Sequence, residues 1–232
     1  MSASSNAILA QCKFPKLKQG LQVLSSLHSL PQPSFFSSLL QLCIDYNADR
    51  EGRFLHRHLL HSPHASHMHL NTKFIIFYAK VGDLDAARRV FDGMHQRTVV
   101  SWTALMSGYS QNGYPGKALE VFLGMRRSGL KANQFGYGSA LRACTRLLSI
   151  DSGTQMQACI EKSRFSGDMF VLSALVDLHS KCGAIDDAVS VFGKMEQRDV
   201  VCWNALIGGY ASQEMGHCAF RMFHWMLREG VY

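Results

Sequence analysis

Six of the eleven histidines fall in one run, His56-Arg57-His58-Leu59-Leu60-His61-Ser62-Pro63-His64-Ala65-Ser66-His67-Met68-His69. Imidazoles at that density take up transition metals readily. A defined zinc site, however, needs three or four ligands fixed on one scaffold, and this stretch crosses a helix end and a Pro-containing turn. No resident metal is expected, and nickel carried through purification would be adventitious. The seven cysteines (Cys12, Cys43, Cys144, Cys159, Cys182, Cys202, Cys218) include no Cys-x-x-Cys pair that could hold zinc or run redox chemistry. Odd in number and widely spaced, they read as buried thiols of a reducing compartment. Gly-rich phosphate loops, Ser or Cys nucleophile motifs and paired catalytic carboxylates do not occur, so neither catalysis nor a cofactor is expected.

What remains is binding chemistry. Lys plus Arg number 24 against 17 Asp plus Glu, a formal charge of +7 that favours polyanionic partners, although the same surplus occurs in proteins that never meet nucleic acid. With 47% hydrophobic and 18% charged residues, the chain buries a continuous core and folds. The longest apolar runs, such as 74–79, fall far short of the ~18 residues of a membrane span, so a soluble chain without a membrane partner is expected. Before the first acidic residue, Asp45, stand Ser2, Ser4, Ser5, Lys13, Lys16 and Lys18. This Ser-rich, acid-poor composition is compatible with an organelle transit peptide, although it contains no Arg.

The scaffold that must position any binding residues is set by an internal repeat. Val90-Phe91-Asp92-Gly93-Met94-His95-Gln96-Arg97 returns as Val191-Phe192-Gly193-Lys194-Met195-Glu196-Gln197-Arg198, and Val99-Val100-Ser101-Trp102-Thr103-Ala104-Leu105 returns as Val200-Val201-Cys202-Trp203-Asn204-Ala205-Leu206, both at an offset of 101. Lys80, Gly82, Asp85 and Ala87 return as Lys181, Gly183, Asp186 and Ala188. The offset divides into segments of 35, 35 and 31 residues, each long enough for two helices. In 99–133, Trp102, Leu105, Met106 and Tyr109 keep helical spacing up to Gly113. A second helix then opens at Pro115, carries Ala118, Leu119, Val121, Phe122 and Met125, and stops at Gly129. Ala87, Ala118, Ala188 and Ala219 are expected to let paired helices approach, and Phe91, Phe122, Phe192 and Phe223 to fill the space between pairs. A two-helix unit cannot bury its apolar face alone, so the expected fold is all-α, an α-α superhelix or solenoid of helix-turn-helix units. Periodicity does not give its hand.

The phrases Val200-Val201-Cys202-Trp203-Asn204-Ala205-Leu206-Ile207-Gly208-Gly209-Tyr210 and Tyr78-Ala79-Lys80-Val81-Gly82-Asp83-Leu84-Asp85-Ala86-Ala87-Arg88-Arg89-Val90-Phe91 resemble the pentatricopeptide repeat family, and the alternating lengths resemble its plant PLS subclass. The resemblance implies long-type units at 33–67 and 134–168, short-type units at 68–98 and 169–199, a standard unit at 99–133 and another at 200–232. Residues 1–32 fit less well, as a transit peptide or a degenerate unit traced by Lys18-Gln19-Gly20-Leu21-Gln22. The final unit stops at Tyr232, two residues short, from which a truncated chain or a fragment is expected. The subclass commonly carries a C-terminal cytidine deaminase with His-x-Glu and Pro-Cys-x-x-Cys; neither motif is present here.

The resemblance further implies single-stranded RNA as the partner, one base per unit, with the chain parallel to the RNA. The fifth and last residues of a unit read the base's polar edge: Ser37 with His67, Thr72 with Thr98, Thr103 with Asn133, Gly138 with Asp168, Ser173 with Asp199, and Asn204 without a partner. By the family's rules these imply a core of A, any base, G, pyrimidine. The second residues Val100, Phe135, Phe170 and Val201 would sandwich the bases, with His69 and Ser34 departing from the apolar choice, and Lys80, Arg146 and Lys181 would contact phosphates. Asp45, Gln111 and Ser212 break the basic stripe. Each residue also has a plainer reading: Thr, Ser or Asn early in a helix serves as an N-cap or solvated group, and Phe135 and Phe170 serve as core. The functional expectation is an RNA-binding adaptor in a mitochondrion or chloroplast, the mitochondrion preferred. It would mark a site for C-to-U editing, splicing or stabilisation, with processing factors supplied in trans. Two alternatives stand beside it: a peptide-binding scaffold of the tetratricopeptide sort, and a truncated product with little function.

Overall fold

The structure, a computed structural model, describes residues 14–26 and 31–231. Ser2, Ser4, Ser5, Cys12 and Lys13, on which the leader reading and one cysteine fall, lie outside the described residues. Among those described there are thirteen helices and no strand. After α1 (Pro15–Ser26) they run in pairs: α2 (Pro33–Asp45) with α3 (Asp49–Leu60), α4 (Met68–Val81) with α5 (Leu84–Asp92), α6 (Val99–Gln111) with α7 (Pro115–Arg127). They continue as α8 (Gln134–Arg146) with α9 (Ile150–Glu161), α10 (Met169–Lys181) with α11 (Ile185–Gly193), and α12 (Val200–Ser212) with α13 (Gly216–Arg228). The chain divides into two compact units, Met1–Gly108 and Tyr109–Tyr232.

The sequence repeat is a packing repeat. In the first unit the Phe91 ring meets Trp102 edge-on at 4.6 Å between centroids, with the Arg97 guanidinium 4.9 Å from the Phe91 centroid and its Nε donating to the Phe91 carbonyl at 3.1 Å. The second unit repeats this with Phe192, Trp203 and Arg198: the rings lie 4.7 Å apart, the guanidinium 4.8 Å away, and the Nε–carbonyl distance is 3.3 Å. Arg97 and Arg198 therefore do packing work, closing the turn after a second helix while covering its aromatic end. Each fully buried ring stabilises by roughly 1.5–3 kcal/mol.

Ala87, Ala118, Ala188 and Ala219 are all buried. The same place in 33–67 and 134–168 is held by Gly52 and Gly153, where a Cβ would stand 2.1 Å from Phe77 and 2.2 Å from Leu178 respectively. Glycine is needed there because a large side chain of the next first helix lies directly on the backbone. Phe91, Phe122 and Phe192 are buried, but Phe223 is 44% exposed, which corrects the expectation that it fills an inter-pair space. Its counterparts are covered by the first helix of a following pair, and none follows α13 within these 232 residues. The thiols also divide: Cys43, Cys144 and Cys202 are buried, whereas Cys159, Cys182 and Cys218 are partly exposed, which corrects the expectation that all are buried.

The turn within each pair takes one residue in the left-handed region. Gly82, Gly113 and Gly183 supply it with φ of 86°, 85° and 81°, while Asn47, Leu148 and Glu214 are forced into it at 52°, 49° and 59°. Among the described residues no helix is long and apolar enough to cross a membrane, and no three His, Cys, Asp or Glu side chains gather as a metal site would require.

Candidate nucleic-acid interface

In four of the six first helices the preceding residue closes the N-terminus with its side chain. Asn133 Oδ1 accepts from the Gly136 amide at 2.8 Å, Asp168 Oδ1 from Val171 at 3.1 Å, Asp199 Oδ1 from Cys202 at 2.8 Å, and Thr98 Oγ1 from Ser101 at 3.3 Å. Each such cap is worth ~1 kcal/mol and pins the side-chain rotamer. The capping atom is one of two polar atoms on Asn133, Asp168 and Asp199; the other is fixed in direction by the same bond. His67 precedes α4 without a side-chain cap.

The fifth residues of the first helices vary in how they are held. Thr72 Oγ1 donates to the Met68 carbonyl at 2.9 Å and Thr103 Oγ1 to Val99 at 2.7 Å, each hydroxyl bent back onto its own helix. Ser173 is 3% exposed and donates to Asp199 Oδ1 at 3.0 Å, so two residues 26 positions apart form one polar unit in which Asp199 Oδ2 remains as an acceptor. Ser37 is half-buried and Asn204 is exposed on α12. At Gly138 the space is taken: a Cβ would lie 2.4 Å from Phe170 Cε1. That ring also meets Phe135 at 6.0 Å between centroids. The two rings touch each other while both stay open to solvent, Phe135 at 56%. Val100 and Val201 are likewise exposed, as are Lys80, Arg146 and Lys181.

In the second compact unit a groove of about 580 Å³ brings several of these together: Val201, Asn204, Gly208 and Ser212 from α12 face Asp177 and Lys181 from α10, with Leu148 at one edge. This lies within the ~300–1,000 Å³ of ligand clefts. Leu148 and Asp177 are among the lining residues that the sequence reading did not single out. Leu148 stands in an interhelical turn whose glycine signal is missing. Asp177 follows Ser173 by four residues and precedes Lys181 by four, a register that could have revealed it. Lys181 Nζ sits 2.9 Å from Asp177 Oδ1 and 3.0 Å from Oδ2. Arg142 holds the place equivalent to Asp177 on α8 and is exposed. Two of the three buried thiols are held as poor nucleophiles. Burial pushes Cys144 up to about 11, and burial with the adjoining Asp199 carboxylate pushes Cys202 up to about 12, so both stay protonated at neutral pH.

A model of the PPR repeat family matches residues 97–146, and a model of the PPR repeat matches 74–99, 170–200 and 201–231, together more than half the chain. The chain is 37% identical over 210 residues to pentatricopeptide repeat-containing protein At3g20730 of Arabidopsis thaliana, covering 90% of this chain and 37% of that one. From the same plant, At2g03880, mitochondrial, is 35% identical over 95% of the chain, and CRR2, chloroplastic, is 32% identical over 98%. The chain spans 34% and 35% of their lengths. The solved structure of PPR10 in complex with an 18-nt psaJ RNA element matches with a TM-score of 0.74 over 98% of this chain and 34% of that one, at 20% identity. At that identity the match shows a shared fold, the α-α solenoid of helical hairpins.

Proposed function

The chain belongs to the pentatricopeptide repeat family, and we propose from this that it binds single-stranded RNA sequence-specifically, one base per unit. The units are 33–67, 68–98, 99–133, 134–168, 169–199 and 200–232, whose first helices start at Pro33, Met68, Val99, Gln134, Met169 and Val200. Relatives named mitochondrial and chloroplastic support a plant organelle as the setting. PPR10, whose fold this chain shares, is known in complex with RNA. The protein marks a transcript for C-to-U editing, splicing or stabilisation, and processing factors in trans supply the chemistry.

The observation that carries the reading is the two-atom arrangement at the caps. With Asn133 Oδ1 engaged by Gly136, its amide nitrogen is left to donate, which suits the N1 acceptor of adenine. With Asp199 Oδ1 engaged by Ser173 and Cys202, its Oδ2 is left to accept, which suits the N1–H and N2–H donors of guanine. An edge of the wrong polarity leaves a group unpaired at a cost of ~1–3 kcal/mol. The consequence is a core of A, any base, G, pyrimidine, read by Thr103 with Asn133, Gly138 with Asp168, Ser173 with Asp199, and Asn204. The test is fluorescence anisotropy with short RNAs carrying that core against scrambled RNAs at ~150 mM salt. Thr103→Asn and Ser173→Asn should move preference at the first and third positions toward pyrimidines. Equal affinity for all RNAs would leave only charge-driven binding, and no binding would favour the peptide scaffold.

A further inference from the structure

Asp177 is the one carboxylate in a groove whose other charged residue is Lys181, and base reading gives it no task. Ser173, Asp177 and Lys181 follow at intervals of four on α10, so they share a face and are spaced ~6 Å apart along its axis. In the proposed reading the base edge lies at Ser173 and the phosphate at Lys181. The sugar between them lies beside Asp177, across the groove from Val201 and Asn204. Phosphate oxygens only accept hydrogen bonds, and so does an ionised carboxylate. The donor that a ribonucleotide presents between base and phosphate is the 2′-hydroxyl.

We infer that Asp177 accepts a hydrogen bond from the 2′-hydroxyl of the nucleotide lying along α10, so that this unit distinguishes RNA from DNA; the inference rests on the RNA reading above. Lys181 holds both carboxylate oxygens, at 2.9 and 3.0 Å, which orients Asp177 without exhausting it, since a carboxylate has about four lone-pair sites. The ammonium has three donors and keeps capacity for a phosphate. The pair is open to water, with side-chain exposures of 59% for Lys181 and 29% for Asp177, so its own contribution to stability is small. The equivalent places on α4, α8 and α12 are Ile76, Arg142 and Gly208, none of which offers a side-chain acceptor, while α2 and α6 carry the neutral Gln41 and Ser107, so a charged acceptor for the sugar stands at one nucleotide only.

The experiment uses the 232-residue chain and an RNA carrying the A, any base, G, pyrimidine core, with a single 2′-deoxy substitution either at the G or at the nucleotide before it. Losing one hydrogen bond to a charged acceptor corresponds to about tenfold in affinity. Deoxy-G should weaken the wild type by about that factor, and the neighbouring substitution by less than about twofold. Asp177→Ala should bind the all-ribose RNA about tenfold more weakly and no longer sense deoxy-G. Asp177→Asn, which keeps a carbonyl acceptor, should retain part of the penalty, and Lys181→Ala should weaken every RNA while leaving the penalty in place. Undiminished wild-type binding to deoxy-G, a penalty that persists in Asp177→Ala, or tighter binding by Asp177→Ala would each overturn the inference while leaving base reading intact. Failure of the wild type to bind any of these RNAs would overturn the base-reading proposal and this inference with it.

Discussion

Gly138 and Ser173 occupy the same place on α8 and α10, yet one is covered by a ring and the other is held by a carboxylate. The Phe170 ring sits where a side chain at 138 would begin, and it leans on Phe135 rather than on the buried core. Adding a methyl group at Gly138 must push that ring outward. Because the ring is partly exposed, it can yield, and Gly138→Ala should cost only about 1–2 kcal/mol in denaturant unfolding. In a Phe170→Ala background the same change should cost almost nothing, since the coupling is between those two side chains. Additive costs would mean that the strain lies in the backbone of α8. At Ser173 no such freedom exists: its hydroxyl and the Asp199 carboxylate lock each other, so the pair offers a fixed acceptor to a ligand rather than a flexible one.

At the scale of the helical pair, the interhelical turn sets a requirement that half the pairs meet with glycine and half do not. Leu148 is 64% exposed at φ 49°, so its side chain gains little from packing while its backbone carries the steric cost of the left-handed region. Leu148→Gly should therefore raise stability by about 0.5–1 kcal/mol, after allowing for the extra unfolded-state freedom of glycine, seen as a higher melting temperature. Asn47→Gly should gain less, since asparagine tolerates that region better. A fall in melting temperature for Leu148→Gly would mean that the leucine packs more than its exposure suggests. The same turns explain what the sequence reveals. Pro115, Gly113, Gly129 and the spacing of Trp102, Leu105 and Met106 mark a helical pair unaided, because those signals are local. Gly52 and Gly153 are harder to read, since their need for a missing side chain comes from Phe77 and Leu178 on the next helix. The reading positions follow from register alone, whereas the Ser173–Asp199 bond, the Phe170 ring over Gly138 and the Asp177–Lys181 pair depend on rotamers that only tertiary packing selects.

Across the whole chain, eleven histidines add to a formal charge of +7 as pH falls, but not all of them can take up a proton without cost. In the first compact unit His56 is packed 4.5 Å from the Phe74 ring with Nδ1 2.8 Å from the Tyr78 hydroxyl, and burial lowers its pKa to about 4. His58, on the same helix, is lowered by burial and by the nearby His61 and Arg57. In the second unit His179 is almost wholly buried. Its Nε2 lies 2.8 Å from Gln157 Oε1, which fixes the proton there and leaves Nδ1 without a partner; burial lowers its pKa against the opposing pull of Asp187. A folded-state pKa below the unfolded ~6.5 means that the unfolded chain binds the extra proton more readily. The stability these residues contribute is therefore complete above pH ~6.5 and is lost as pH falls through the window down to about 4. For His56 alone the loss at pH ~5 is about 2 kcal/mol. Thermal melts should accordingly show a lower midpoint at pH ~5 than at pH ~7.5. His56→Gln should be less stable at neutral pH, because it gives up the ring packing on Phe74, yet show a shallower decline on acidification. Parallel declines for wild type and variant would assign the acid sensitivity to His179 and His58 instead.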